Sequence, residues 1–142
     1  MATTSTADRY TATLKKDELY SDLFVNLDRH PGKKDLVRAV NEAAVKRSIV
    51  NLLLTDNDER LYQPNVGANL KYLLFEPADS QTLSLLRDHI MNCLDKYEPR
   101  IRVLDLQLQT SPDEYQINVT LKFALVNTAN PVVLNLVLNR VR

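Results

Sequence analysis

Hydrophobic and polar residues alternate along the last third of the chain in a way that predicts three β-strands. The alternation is cleanest at residues 115–125, where every second side chain is apolar, so this strand should have one buried and one wetter face. Residues 101–109 alternate less regularly, and residues 132–142 form the third pattern. Turn-forming segments at 111–114 and 127–131 separate the strands. The pattern therefore predicts a small antiparallel meander.

Residues 41–54 follow a helical period instead. Asn41 before Glu42 is typical of an N-cap followed by an acidic residue in the first turn. One apolar face is formed by Val45, Ile49, Leu52 and Leu53, and an opposite one by Ala43, Val50 and Leu54. A helix that is apolar on two sides is typical of burial between layers, so we expect both faces to be covered.

A longer helix is predicted at residues 80–97, with Asp79 or Ser80 as its N-cap. Its apolar residues recur every three or four positions and so share one side of the helix. These residues are Leu83, Leu86, Ile90, Cys93, Leu94 and Tyr97. We expect this stripe to face the core.

The segment between the two helices is less regular. Pro64 and Gly67 interrupt residues 60–67, which indicates an irregular segment held by side-chain contacts. A short apolar helix at residues 68–75 follows it and stops before Pro77, because proline disfavours the helical conformation in the residue that precedes it.

The amino-terminal patterns are weaker. Residues 1–13 are rich in threonine and lack periodicity, so we expect a flexible arm or one that orders on a partner. Residues 19–25 predict a short strand, whereas residues 35–40 fit either an extended segment or the first turns of a longer helix. Residues 14–142 should then form one α+β domain, with helices packed on the antiparallel carboxy-terminal sheet and an irregular central segment.

The composition narrows the class of partner. The 142 residues carry 18 basic and 18 acidic side chains and a net charge of +0, so no overall field attracts nucleic acid or an anionic membrane. A protein partner is therefore expected. A single cysteine rules out an internal disulfide. The first residues do not follow the pattern of a signal peptide, and no apolar run reaches the roughly 18 residues of a membrane span.

Few side chains could bind a metal or a cofactor. His89 and Cys93 stand four residues apart on the predicted long helix and could form half of a zinc site, but further ligands at suitable spacing are missing. The chain has only two glycines, and so no glycine-rich loop for a phosphate group. We expect neither a metal nor a cofactor.

Paired carboxylates could in principle cleave glycosidic bonds, and Glu76, Glu98 and Glu114 are candidates. The general acid in such a pair needs a raised pKa. Glu98 instead has Arg100 as a neighbour, and the positive charge should lower its pKa. We therefore expect a protein that is not an enzyme, with a glycosidase as the alternative.

The sequence Glu98-Pro99-Arg100 lies where the long helix gives way to the first strand of the meander. Pro99 cannot donate a backbone hydrogen bond and disfavours the helical conformation at Glu98, so it fixes a stiff corner between the two elements. The guanidinium of Arg100 can bind a carboxylate through two parallel hydrogen bonds. Two interpretations remain open: the acid and the base pair within the fold, or they bind a partner.

The last strand of the predicted meander would lie at a sheet edge. Edge strands usually carry charges or proline that block pairing with other chains, but here only Arg140 and Arg142 are charged, near the very end. One interpretation is that another chain adds a strand to this edge. The alternative is that another part of the same chain covers the edge.

Several sequence blocks, in a fixed order and spacing, carry a family resemblance. They are YSDL at 20–23; AVKRSIVNLLLT at 44–55, followed by ER at 59–60, PNVG at 64–67 and LLFE at 73–76; and YEPRI at 97–101. In these blocks the chain resembles the baseplate wedge proteins of contractile-tailed phages, a family often described as sheath initiators. A relative of this family, TssE, belongs to type VI secretion. Asp58 is a departure, because the family commonly has glycine there, so the turn type could differ.

The resemblance implies a structural component of the virion tail baseplate, assembled in the host cytoplasm and present in six copies around the hub. Glu98, Pro99 and Arg100 would contact the helical core bundle of the larger wedge proteins. Tail tube and hub proteins are further candidate partners. The equivalent component of a type VI secretion or tailocin machine is one alternative. Because some relatives carry a lysozyme label, a peptidoglycan-cleaving, lysozyme-like glycosidase is another.

The resemblance also implies a role for the last strand, which would pair with the tail sheath protein and template the first sheath ring. The residues that would form this surface are Val133, Asn135, Val137, Asn139 and Val141.

Overall fold

The structure is a computed structural model that describes residues 18–23, 27–29, 32, 35–77, 79–111 and 116–139. Its elements, in chain order, are β1 (Ser21–Leu23), β2 (Arg38–Val40), α1 (Glu42–Leu54), α2 (Leu70–Phe75), α3 (Ser80–Tyr97), β3 (Ile101–Ser111), β4 (Gln116–Leu125) and β5 (Thr128–Asn139). The predicted arm at residues 1–13 lies outside the described residues.

The three carboxy-terminal strands form an antiparallel sheet in the order β3-β4-β5, as the alternation predicts. One face of the sheet packs with the three helices around a single hydrophobic core. A second, two-stranded sheet joins β1 to β2 in antiparallel pairing. The α+β class and the meander are confirmed.

A β-bulge explains why the first strand of the meander alternates imperfectly. The pairing of β3 with β4 slips by one residue directly after Val103, and Leu104 is the additional residue. Ile101 and Val103 before the bulge and Leu106 and Leu108 after it therefore all turn to the core. Leu104 itself is exposed.

The last strand begins earlier than the sequence indicates. The turn consists of Val126 and Asn127 alone, and β5 already begins at Thr128, so the predicted turn at residues 127–131 is wrong. Pro131 lies inside β5, next to the point where the pairing with β4 shifts. Proline is tolerated there because it has no backbone N–H group, and an edge strand at a pairing irregularity can lack one N–H donor without losing a hydrogen bond of the sheet.

The helix α1 begins at Glu42 as predicted, but Asn41 does not cap it through its side chain. Instead, the Asn41 side-chain oxygen accepts hydrogen bonds from the backbone amides of Leu19, at 2.9 Å, and Tyr20, at 3.3 Å. The backbone N–H group of Asn41 donates to the backbone carbonyl of Tyr20 at 2.7 Å. The expected N-cap bond is thus replaced by a tie to the segment before β1. Because β2 precedes Asn41, the extended interpretation of residues 35–40 is correct.

Only one of the two apolar faces of α1 is fully buried. Val45, Ile49, Leu52 and Leu53 lie in the core, but on the second face Ala43 and Leu54 are exposed and Val50 is only partly buried. The expectation that both faces are covered is wrong, because no described layer covers the second side of the helix.

The helix α3 follows its sequence pattern closely. It spans the predicted residues 80–97, and the Asp79 side chain caps it by accepting a hydrogen bond from the Thr82 amide at 2.8 Å. Four residues of the predicted stripe, Leu86, Ile90, Cys93 and Leu94, are buried, while Leu83 and Tyr97 are partly buried. None of the described helices is long and apolar enough to cross a membrane.

Two residues in left-handed backbone conformations shape the irregular segment before α2. Asp58 has φ 67°, a conformation that glycine adopts without strain, so this turn keeps the backbone that a glycine there would favour. Gly67 has φ 148°, and a Cβ atom there would lie 2.5 Å from the Thr55 carbonyl oxygen. Gly67 therefore allows the segment to pack directly against the chain that leaves α1.

We expect Gly67→Ala to lower the free energy of unfolding by about 1–3 kcal/mol, because the new methyl group meets backbone and the dihedral angles are strained. Urea denaturation would measure this loss. The matched control is Asp58→Gly, which relieves a left-handed residue and should leave stability unchanged or raise it by up to about 1 kcal/mol. Equal stability of Gly67→Ala and the original chain would contradict this account of the segment.

Candidate functional site

The corner between α3 and β3 is a tight turn with proline at its first central position. The Glu98 amide donates to the Leu94 carbonyl at 2.9 Å, which closes the last turn of α3. The Ile101 amide then donates to the Glu98 carbonyl at 3.3 Å, so Pro99 and Arg100 are the central residues of a β-turn. Proline is favoured at this position because its fixed φ matches the turn. The backbone thus fixes where the Glu98 and Arg100 side chains begin.

The Glu98 carboxylate is buried, with 2% of the residue exposed, and binds partners within the chain. Arg100 reaches it through two parallel hydrogen bonds, from Nε to Oε1 at 2.5 Å and from Nη2 to Oε2 at 2.8 Å. The Ser48 hydroxyl of α1 donates to Oε2 at 2.6 Å. Of the two interpretations left open by the sequence, pairing within the fold is therefore what this geometry shows.

Arg100 connects the corner to two further segments. Its guanidinium lies 5.4 Å from the centroid of the Tyr20 ring, within reach of a cation–π interaction. The Tyr20 hydroxyl accepts a hydrogen bond from the Asn127 side chain at 3.0 Å, and the Val126 amide donates to the Arg100 carbonyl at 3.0 Å. The segment before β1, the corner and the β4–β5 turn thus meet around Arg100 and Tyr20.

Part of the corner remains accessible to solvent. Pro99 is exposed, and 37% of the Arg100 side chain is accessible although it pairs with Glu98. The Glu98 carboxylate lies inside the chain and orients the guanidinium through the two hydrogen bonds.

The electrostatics of this pair favour the charged forms. Burial acts to raise the pKa of Glu98, but hydrogen bonds from Arg100 and Ser48, together with the charge of Arg100, outweigh it and leave the pKa below its ordinary value. The same hydrogen bond to Glu98 raises the pKa of Arg100. A carboxyl group with a lowered pKa is a poor general acid at neutral pH.

The other two candidate acids differ in what the structure shows of them. Glu76 lies exposed at the end of α2, and Glu114 lies outside the described residues. Glu98, which is held ionised, can fix a charged group in place but is not itself suited to be the proton donor that glycosidic cleavage requires.

His89 and Cys93, which by their spacing could form half of a zinc site, have different surroundings. Cys93 is buried, and this burial raises the pKa of its thiol to about 11. A His89 ring nitrogen lies 3.3 Å from the Ala68 carbonyl oxygen. Within the described ranges, no cluster of three or more metal-binding side chains occurs.

Sequence reasoning did not find the two residues that complete the corner, Ser48 and Tyr20. Each lies in a sequence block that carried the family resemblance, at 44–55 and 20–23. Their pairing depends on tertiary structure, since Ser48 is 50 residues from Glu98 in sequence. No local spacing indicates such a contact.

The second predicted surface lies on β5. Within the part of the chain that the structure describes, β5 pairs only with β4, so it is an edge strand. Val133 and Val137 are about half exposed, at 46% and 51%, and Asn135 and Asn139 are exposed beside them on the outer face. Val141 lies outside the described residues. The corner and this strand belong to different elements and make separate surfaces.

The pKa of Glu98 makes the stability of the fold depend on pH. The carboxylate stabilises the fold above its ordinary pKa of 4.5, and that contribution is lost as the pH falls through the lower value in the folded chain. Glu98→Gln should therefore reduce the free energy of unfolding at pH 7 by about 1–3 kcal/mol. Urea denaturation at pH 7 and pH ~3.5 should show this difference narrowing in acid.

The control for this experiment is Asp105→Asn, which removes an ion pair with Lys122 at 3.4 Å that is substantially exposed. Exposed ion pairs contribute little to stability, so this substitution should lower the free energy of unfolding by less than about 1 kcal/mol. A Glu98→Gln variant that behaves like the control at both pH values would contradict the role of the buried pair.

Two comparisons with known protein sequences identify the same family. The sequence profile of the family described as baseplate wedge protein gp25 matches residues 39–130 of the 142. Baseplate wedge protein gp25 of Enterobacteria phage T4 is 25% identical over 116 residues, which cover 82% of this chain and 87% of that protein. The resemblance inferred from the sequence blocks is confirmed.

Solved structures share the fold. A Geobacter sulfurreducens protein, provisionally described as a tail lysozyme, has a TM-score of 0.67 and 23% identity, over 75% of this chain and 97% of its own. A chain of the six-fold symmetrised anti-feeding prophage baseplate has a TM-score of 0.60 and 16% identity, covering 83% of both chains. A chain of the postcontracted pyocin R2 baseplate has a TM-score of 0.57 and 19% identity, over 66% of this chain and 93% of its own.

Proposed function

The chain belongs to the baseplate wedge protein gp25 family, and we propose that it joins the baseplate wedge of a contractile tail to the tail sheath. In this proposal the corner binds the helical core bundle of the larger wedge proteins, and β5 pairs with the sheath protein to template the first sheath ring. The proposal rests on two surfaces of the described chain. One is the rigid, charged corner, and the other is the edge of β5 that pairs with no described strand.

The corner suits a contact that must be placed accurately. The two hydrogen bonds to Glu98 and the proline turn fix the orientation of the Arg100 guanidinium before any partner arrives. Preorganisation reduces the entropy lost on binding. The accessible part of Arg100 can then donate hydrogen bonds to carboxylates or carbonyl oxygens on the bundle, which are stronger because the donor is charged.

The last strand suits pairing with another chain. None of the twelve residues of β5 is charged, and the features that oppose edge pairing, Pro131 and the pairing irregularity beside it, lie near the start of the strand. Main-chain hydrogen bonds from an added strand would satisfy the backbone groups along this edge. The exposed valines beside the edge would gain apolar contacts in the extended sheet.

The proposal places the protein in the tail baseplate of a virion or a tailocin, after assembly in the host cytoplasm. Six copies around the hub would match the symmetry imposed on the anti-feeding prophage baseplate, and contacts with hub or tail tube proteins fit that position. We propose no bond-cleaving activity, because the buried carboxylate of Glu98 is held ionised by Arg100. A peptidoglycan zymogram without clearing would agree with this assignment.

The corner can be tested with Glu98→Gln and Arg100→Gln in one chain. The double variant removes both charges together and so avoids a buried carboxylate without a partner. It should remain folded but associate with the wedge proteins at least about tenfold more weakly, as measured by titration calorimetry or copurification.

The matched control for this test is Asp105→Asn with Lys122→Gln, which neutralises a more exposed pair on the sheet. It should associate like the original chain. Normal association of the corner double variant, with a cooperative unfolding transition, would exclude the corner from the wedge interface.

The strand edge can be tested by placing lysines on β5. Val133→Lys with Val137→Lys adds charges of the kind that protect natural edge strands, at two positions that are exposed in the isolated chain. We expect baseplates to form normally but fewer than about a tenth of them to carry a sheath. This fraction corresponds to a loss of about 1.4 kcal/mol or more in the free energy of strand pairing, which lowers the equilibrium constant about tenfold. Negative-stain electron microscopy gives this count.

Leu104→Lys with Gln109→Lys is the matched control, since both residues are exposed on β3 at the opposite edge of the same sheet. Particles with this variant should carry sheaths at the original frequency. Full-length sheaths on the β5 variant would refute the templating role.

A further inference from the structure

Two large apolar residues stand almost fully exposed at the tip of a tight turn before α2. The Gln63 amide donates to the Arg60 carbonyl at 3.2 Å, which makes Leu61 and Tyr62 the central residues of a β-turn. Their exposed fractions are 92% and 97%, the highest of the large hydrophobic residues described. Central turn positions usually hold glycine, proline, asparagine, aspartate or serine. The backbone of the turn gives no reason for a leucine and a tyrosine here.

This turn, residues 60–63, is held rigidly by the segments beside it. The Asp58 amide donates to the Pro64 carbonyl at 2.8 Å, and the Val66 amide donates to the Gln63 carbonyl at 3.1 Å. The Tyr97 hydroxyl at the end of α3 donates to the Asn65 carbonyl at 2.5 Å. Because its base is fixed to α3, the turn cannot fold its apolar tip back onto the domain without breaking these bonds.

The turn lies beside a cavity that also reaches Glu98, the first residue of the corner. Arg60 and Gln63, which flank the apolar tip, line an open polar cavity of about 320 Å³ together with Ser48 and Glu98. The hydrogen bond from Tyr97 also ties the turn to the residue that directly precedes Glu98. A partner that contacts the corner and extends across this cavity would reach Leu61 and Tyr62.

We propose that Leu61 and Tyr62 form a second anchor that inserts into an apolar groove between helices of the bundle contacted by the corner. This inference rests on the proposed function and adds to it the apolar part of the interface. A rigid turn presenting a tyrosine has the chemistry of an interaction hot spot, since tyrosine contributes a large contact area with few rotatable bonds.

The charges near the turn favour a protein over a membrane surface. Asp58, Glu59 and Arg60 directly precede the apolar tip and are exposed. The two acidic side chains outweigh the one basic side chain, so this segment carries no net positive charge that would attract anionic lipid headgroups. A helical bundle with a polar rim around its groove can accommodate both the tip and these charges.

The test compares Leu61→Ser with Tyr62→Ser in one chain against the original protein, using the coexpressed larger wedge proteins of the same particle as the probe. The variant should bind at least about tenfold more weakly and unfold at the same temperature, because both side chains are already exposed. The matched control is Tyr72→Ser with Phe75→Ser, which removes similar exposed side chains from α2. It should bind within about twofold of the original.

The outcomes separate this inference from the proposed function. If the corner variant loses binding while the Leu61→Ser and Tyr62→Ser variant keeps it, the second anchor is refuted and the corner interface stands. If none of these variants alters binding, both are refuted.

A second measurement applies inside the assembled particle and does not depend on purified wedge proteins. Photocrosslinking from p-benzoylphenylalanine introduced in place of Tyr62 should capture a protein of the helical bundle. Capture only of lipid, the sheath protein, another copy of this chain or the chain's own residues 1–17 would overturn the proposal, as would the absence of any crosslink.

Discussion

The fold depends on a buried carboxylate that could not remain ionised without its partners. Glu98 lies inside the domain at the point where α3 ends and the sheet begins, and burying a charge there is costly unless hydrogen bonds and an opposite charge compensate it. Arg100 and Ser48 provide that compensation, so the angle between the helix and the sheet is tied to one electrostatic arrangement. Any partner that contacts Arg100 therefore meets a group whose position is already decided.

The same arrangement links the two contact surfaces of the proposal. Arg100 contacts Tyr20, and the Tyr20 hydroxyl accepts a hydrogen bond from the Asn127 side chain, so the corner is connected to the segment before β1 and to the β4–β5 turn. The strand that follows this turn is β5, whose second edge pairs with no other strand among the described residues. The proposed wedge contact and the proposed sheath contact are thus connected through a packed network within one domain.

The parts of the fold that the sequence predicted are those governed by local patterns. The bounds of α3, its cap at Asp79 and the order of the meander follow from periodicity and from short-range capping chemistry. Asn41 was mispredicted because its side chain is used by backbone amides about twenty residues upstream. For the site, the proline corner is local and was found, whereas its partners Ser48 and Tyr20 depend on tertiary packing that no spacing reveals.

The central claim is that the corner is an interface whose geometry is set within this chain before assembly. A cryo-EM map of the parent particle tests it most directly, at a resolution that shows side chains. The account predicts that Arg100 keeps its two hydrogen bonds to Glu98 while its accessible surface is covered by helices of the larger wedge proteins. A map in which Pro99 and Arg100 face only solvent, or in which Arg100 has left Glu98 for a different partner, would contradict it.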